Sequence, residues 1–130
     1  MANNKLLVIN VLSSDTYTDC HIKGSKNVPL DKLADLAKNL DKKQPIVVYC
    51  ASYECPVSRK AWELLHKLGF KNIWAYEGGM AEWVQMGFPA QGSCKADYLS
   101  EQHEPEDQTG PIRVINAKEL YTKMHQAGLL

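Results

Sequence analysis

Hydrophobic residues along this chain fall into short blocks of two kinds. Leu6–Leu12 (LLVINVL) and Ile46–Tyr49 (IVVY) are near-continuous apolar runs with β-branched residues, the pattern of strands buried on both faces. Asn72–Tyr76 reads as a further strand, closed by Gly78 and Gly79, and Asn27–Pro29 as a short extended piece. Between the strands the apolar positions switch to helical spacing. Leu33, Leu36, Ala37 and Leu40 share one face of Asp31–Leu40. Val57, Ala61, Leu64, Leu65 and Leu68 do the same over Val57–Leu68, and Gly69 is the stop signal. Met80–Met86 is a short helix ended by Gly87 and Pro89. Ser13–Lys26 is polar and turn-rich and predicts no element. Ser93–Gly110 is acidic, polar and without period, so it reads as a linker. Beyond it, Pro111–Val114 is a short strand and Ala117–Ala127 a helix with Ala117, Leu120, Tyr121 and Met124 on one face. Asn116 followed three residues later by Glu119 matches a capping pattern at its start.

Strands alternating with helices predict an α/β fold: a five-stranded parallel sheet with helices on both faces. The length, 130 residues, fits one domain, with residues 1–92 as the main body, 93–110 as linker and 111–130 as a returning strand and helix. Fifteen basic and fifteen acidic residues balance, which gives no footprint for nucleic acid or an anionic membrane. The apolar runs are too short to span a bilayer, and the N-terminus reads as a strand and not as a leader. Four cysteines (Cys20, Cys50, Cys55 and Cys94) are then expected as reduced thiols in a cytoplasm, Cys20 and Cys94 being incidental. Their spacing is not a metal pattern, and neither metal nor cofactor is implied.

In a parallel sheet, function collects where strands end at their carboxyl side, and Cys50 stands at such an end. The loop after it opens into the Val57 helix. A helix N-terminus and a curl of backbone amides can hold a sulfur as thiolate or persulfide. The alternative is a structural cysteine buried at a strand end. The loop residues Ala51, Ser52, Tyr53, Glu54, Cys55, Val57 and Ser58 are the candidate cradle. Pro56 suits the first helical turn, and Ser58 is a second candidate for its cap. Cys55, five residues after Cys50, is either a resolving thiol or a small apolar plug.

Three segments together resemble the rhodanese-homology family. DCHIKGSKNVP (Asp19–Pro29) resembles the family's G-H-I-x-G-A-x-N-x-P segment. IVVYC followed by SRKAWELLHKLGFKNI (Ser58–Ile73) resembles its strand, catalytic cysteine and S-x-x-A-x-x-L-x-x-x-G-F pattern. YEGGMAEW (Tyr76–Trp83) resembles its G-G-x-x-x-W signature. The resemblance covers about residues 6 to 90 and implies a sulfurtransferase in which Cys50 carries a sulfane sulfur as persulfide, between a small sulfur donor or persulfide-bearing protein and a thiol or cyanide. Departures are Asn10 and Leu12, where the family's D-V-R strand has aspartate and arginine, and Cys20, where glycine is usual. The loop is about two residues longer than usual, as in phosphatases of this fold, but Pro56 stands where those need an arginine. The other readings are a non-catalytic binding or regulatory module, a phosphatase or arsenate reductase, and a Cys50–Cys55 redox enzyme. His21 in this family is structural by resemblance.

The family opens with a strand and helix ahead of the D-V-R strand, which this chain lacks at its front. RVINAKELYTKMHQAG (Arg113–Gly128) resembles that missing piece. A circular permutation, a truncated second repeat and a swap into a neighbouring molecule are the three arrangements open.

Overall fold

The computed structural model describes residues 6–53, 55–101 and 112–130. Its elements, in order, are β1 (Leu7–Asn10), α1 (Ser14–Asp19), β2 (His21–Ile22), β3 (Lys26–Asn27), α2 (Leu30–Ala37), β4 (Ile46–Tyr49), α3 (Val57–Lys67), β5 (Ile73–Tyr76), α4 (Gly79–Gln85) and β6 (Ala90–Gln91). A 3-10 turn at Asp97–Ser100 and α5 (Ala117–Gln126) complete the chain.

The main sheet runs β3-β1-β4-β5, all parallel, with Val8 opposite Val47 and Val48 opposite Ala75. Parallel neighbours need crossovers, and the helices supply them. Strand side chains alternate between the two faces, which divides the core in two. Ile9, Ile46, Val48 and Ala75 face α2 and α3, where Leu33, Trp62 and Leu65 close the layer. Val8, Val47, Tyr49 and Tyr76 face α4 and α5, where Met80, Trp83, Leu120 and Met124 do so. β1 and β4 are covered on both sides, hence their continuous apolar composition.

The expected fifth strand is reduced to one bridge. Val114 pairs in parallel with Ala75, whose amide donates to the Arg113 carbonyl at 2.8 Å while the Ile115 amide donates to the Ala75 carbonyl at 3.1 Å. Asn116 then turns the chain into α5, so the extended stretch is too short for a ladder. Within this one molecule the C-terminal segment therefore lies along the free edge of β5. Arg113 and Lys123 bracket the Trp74 ring at 4.8 and 4.5 Å, and the Asn116–Glu119 capping box is formed in both directions, at 2.8 and 3.2 Å.

Ser13–Lys26, expected to be irregular, holds α1 and two short strands. α1 has no buried residue, so it has no apolar period to read; it rests on Ser13, whose hydroxyl caps the Thr16 amide at 3.4 Å. β2 pairs antiparallel with β6, His21 opposite Gln91. That pairing brings two distant cysteines together and overturns the expectation of incidental thiols: Cys20 and Cys94 form a disulfide across a separation of 74 residues. Asp19 reinforces the junction, its carbonyl accepting from the Cys94 amide at 2.7 Å and its carboxylate from the Lys95 and Ala96 amides at 3.2 and 3.3 Å.

Candidate functional site

β4 ends on Tyr49, and the next residue, Cys50, lies at the carboxyl edge of the sheet between β1 and β5. Its backbone is fixed from the α4 side. The Met80 amide donates to the Cys50 carbonyl and the Ala81 amide to the Ala51 carbonyl, both at 2.9 Å. This close approach explains the second glycine of YEGGMAEW. Gly79 has φ +64°, and a Cβ there would stand 2.5 Å from the Cys50 carbonyl oxygen and 2.8 Å from the Ser52 nitrogen. Trp83 anchors the other end of the motif, fully buried, with its indole N–H on the Pro89 carbonyl at 2.7 Å.

From Ala51 the chain curls into α3. The Cys55 amide closes a turn on the Ser52 carbonyl at 3.1 Å. α3 begins at Val57 with Pro56 at the cap position, so Ser58 is not the cap. Ser58 instead sits inside the first turn, fully buried, with its hydroxyl and amide directed at the Cys50 sulfur. Glu54 lies outside the described residues.

The two loop thiols differ sharply. Cys50 has no exposed surface, and its Sγ donates to the Cys55 carbonyl at 3.4 Å. Cys55 is half-buried. The Cys55 side chain, then burial, push the Cys50 thiol far above its usual range, and the Ser58 hydroxyl and amide offset this only in part. Cys55 moves the other way, down to about 6, because the Cys50 thiol donates to it and the Ala51 and Val57 amides add to that, against the cost of burial. The two thiols titrate as one coupled pair. The loop amides divide between the two sulfurs, Ser58 acting on Cys50 and Ala51 and Val57 on Cys55.

Tyr53 is not part of that cradle. Its hydroxyl donates to Glu82 at 2.6 Å, and Tyr76 donates to the other oxygen of the same carboxylate at 3.0 Å. Both phenols are raised, first by burial and then by Glu82. Gly78 gives this carboxylate its place, since a Cβ there would collide with the Glu82 Oε1. Tyr53 and Glu82 also line a shallow cleft of about 200 Å³ together with Met86 and with Asn116, Ala117 and Lys118 of the C-terminal segment. Arg59 places its Nε on the buried Glu77 carboxylate at 2.8 Å. His21 holds a backbone carbonyl, that of Tyr17, at 2.8 Å and stacks on the Tyr17 ring at 3.9 Å. Asn10 is a backbone brace, its carboxamide oxygen accepting from the Leu12 amide at 2.9 Å.

Sequence reasoning missed two participants. Glu82 lies in a variable place of the glycine motif and carries no signal there. Tyr98, in the segment read as linker, has a buried hydroxyl without a partner. Burial, then Asp19 and the two loop cysteines, push its pKa up to about 12.

The rhodanese-like domain family matches residues 1–86. The thiosulfate sulfurtransferase GlpE of Coxiella burnetii is 28% identical over 78 residues, 60% of this chain and 71% of that protein. GlpE of Pseudomonas entomophila is 29% identical over 91 residues, 68% of this chain and 82% of that protein. Among solved structures, the BH2092 protein of Bacillus halodurans superposes with a TM-score of 0.65 at 29% identity, over 75% of this chain and 72% of that one. The rhodanese-like domain of the Anabaena Alr3790 protein, solved in solution, has a TM-score of 0.63 at 27% identity, over 84% of this chain and 81% of that one. With the matched segment spanning most of its length and the parallel sheet and loop in place, this chain belongs to the rhodanese-like domain family.

Proposed function

We propose that the protein is a sulfurtransferase that carries a sulfane sulfur as a persulfide on Cys50 and passes it to a thiol or to cyanide. Its donor is a small sulfane compound or a persulfide-bearing protein. The observation that carries this reading is the buried Ser58, whose hydroxyl and amide act on the enclosed Cys50 sulfur and would hold charge developing there. Burial suits storage, because an enclosed persulfide is shielded from water and oxidants. The sulfurtransferases among the relatives support the same chemistry.

A clamp for phosphate or arsenate would need a free guanidinium over the loop, and Arg59 spends its Nε on Glu77. One observation favours a second reading, a binding module without turnover: the complete enclosure of Cys50 at rest. Cyanolysis separates the two. Protein incubated with thiosulfate or inorganic polysulfide should release thiocyanate on addition of cyanide, and the sulfur released should be traceable to a persulfide on Cys50, trapped by alkylation and located by peptide mass spectrometry before cyanide is added. Silence with both donors would leave the binding module. The transfer reading requires Cys50 and Cys55 reduced.

A further inference from the structure

Cys50 cannot meet a donor directly. The α4 N-terminus backs it through Gly79 and Met80, Ser58 closes one side, and its thiol points at the Cys55 carbonyl. Cys55, on the same turn, is the loop cysteine that keeps exposed surface. We propose that Cys55 receives the sulfane sulfur and hands it inward to Cys50, so that the loop works as a two-thiol relay. The inference rests on Cys50 being the carrier.

The steps balance without an added oxidant or reductant. With thiosulfate, the Cys55 thiolate attacks the outer sulfur, the bond between that sulfur and the sulfonate sulfur breaks, and sulfite leaves with the electron pair. Cys55 then holds a persulfide anion. In the second step the Cys50 sulfur attacks the outer sulfur of that persulfide. The Cys55 S–S bond breaks, a Cys50 persulfide anion forms, and the proton of the Cys50 thiol ends on the departing Cys55 sulfur. No net oxidation or reduction accompanies the second step; the sulfane sulfur only changes partner.

The chemistry of the two sulfurs favours this direction. In exchange at sulfur, a low-pKa thiolate is the better leaving group, which favours movement of the sulfur from Cys55 to Cys50. The outer sulfur of the pair is the acidic one and the inner the basic one. The Ser58 hydroxyl stands at the inner position, on the Cys50 sulfur, where the transferred sulfur comes to rest.

The test loads the full chain and its Cys50→Ser and Cys55→Ser variants with thiosulfate and, separately, with inorganic polysulfide. Persulfides are trapped by alkylation at intervals and located by peptide mass spectrometry, and circular dichroism establishes that each variant is folded. The wild type should show added sulfur first on Cys55 and later on Cys50. Cys50→Ser should accumulate it on Cys55. Cys55→Ser should load Cys50 at least about tenfold more slowly, since the thiolate at the surface is gone. Should Cys55→Ser misfold, the order of labelling in the wild type decides alone. Loading of Cys50 in Cys55→Ser at the wild-type rate would overturn the relay and leave the carrier standing. Release of sulfide with closure of a Cys50–Cys55 disulfide would also overturn it. A wild type loaded by neither donor would remove the carrier and the relay together.

Discussion

A cysteine with a pKa of about 6 is ~90% thiolate at pH 7, against ~1% for one at 9, a gain of nearly a hundredfold in the reactive form. Part of that is lost, because nucleophilicity falls with basicity; three units at a Brønsted slope of about 0.4–0.5 cost ~15–30-fold. The net advantage of Cys55 as attacking group is several-fold, and its larger advantage is access. The same figures yield a pH prediction. Alkylation of Cys55 should rise with a midpoint near the pKa of about 6 and level off above it. In Cys50→Ala the donated hydrogen bond that stabilises the anion is lost, so the midpoint should move upward; a profile that did not shift would show that the two sulfurs are not coupled. The position of Cys50 at a strand end was legible in sequence. How the loop amides divide between the two sulfurs was not, because that depends on where the Ala51, Val57 and Ser58 amides point.

Among the elements, the longer helices and buried strands follow their apolar period to within a few residues of the observed bounds, since each has a face to bury. Exceptions are the elements without such a face. α1 buries nothing and is specified by its cap, and the 3-10 turn at Asp97–Ser100 is held by partners elsewhere: the Gln85 side chain donates to the Leu99 and Glu101 carbonyls at 2.9 and 2.8 Å. α5 shows both kinds of information. Its face of Ala117, Leu120 and Met124 is buried as its period requires, and its start is set by the Asn116–Glu119 box. Asn116→Ala removes the side-chain acceptor at the helix start and should lower stability by ~1 kcal/mol, read as a shift in the urea midpoint. Because Asn116 also lines the cleft beside Tyr53, the same variant should be assayed for sulfur uptake.

For the whole molecule, the C-terminal segment and the disulfide do the same work from two sides. The segment covers the edge of β5 and one half of the core, and the Cys20–Cys94 bond fastens the chain leading to it onto the β2–β6 pair. Closing a loop of 74 residues lowers the entropy of the unfolded chain by an amount worth ~4 kcal/mol in the chain-entropy account. Two measurements check it. Native protein should present one readily titratable thiol, Cys55, denatured but unreduced protein two, and denatured, fully reduced protein four. Cys20→Ser with Cys94→Ser should unfold at markedly lower denaturant, while cyanolysis through Cys50 persists in the variant that remains folded. Four free thiols in the native protein would refute the pairing.

What the sequence determined by itself is what depends on neighbours along the chain: buried strands, amphipathic helices, the α5 cap and a cysteine at the end of a central strand. Motif order added the family, because Gly79 and Trp83 answer to steric demands that leave few alternatives. Only the tertiary structure decided the pairings across distance. The antiparallel contact of β2 with β6 made a disulfide of two thiols far apart in sequence, and the return of Val114 to Ala75 set the edge of the sheet. The fold of one short loop placed one sulfur in the core and the other at the surface, since burial and amide direction are properties of packing and leave no trace in residue spacing.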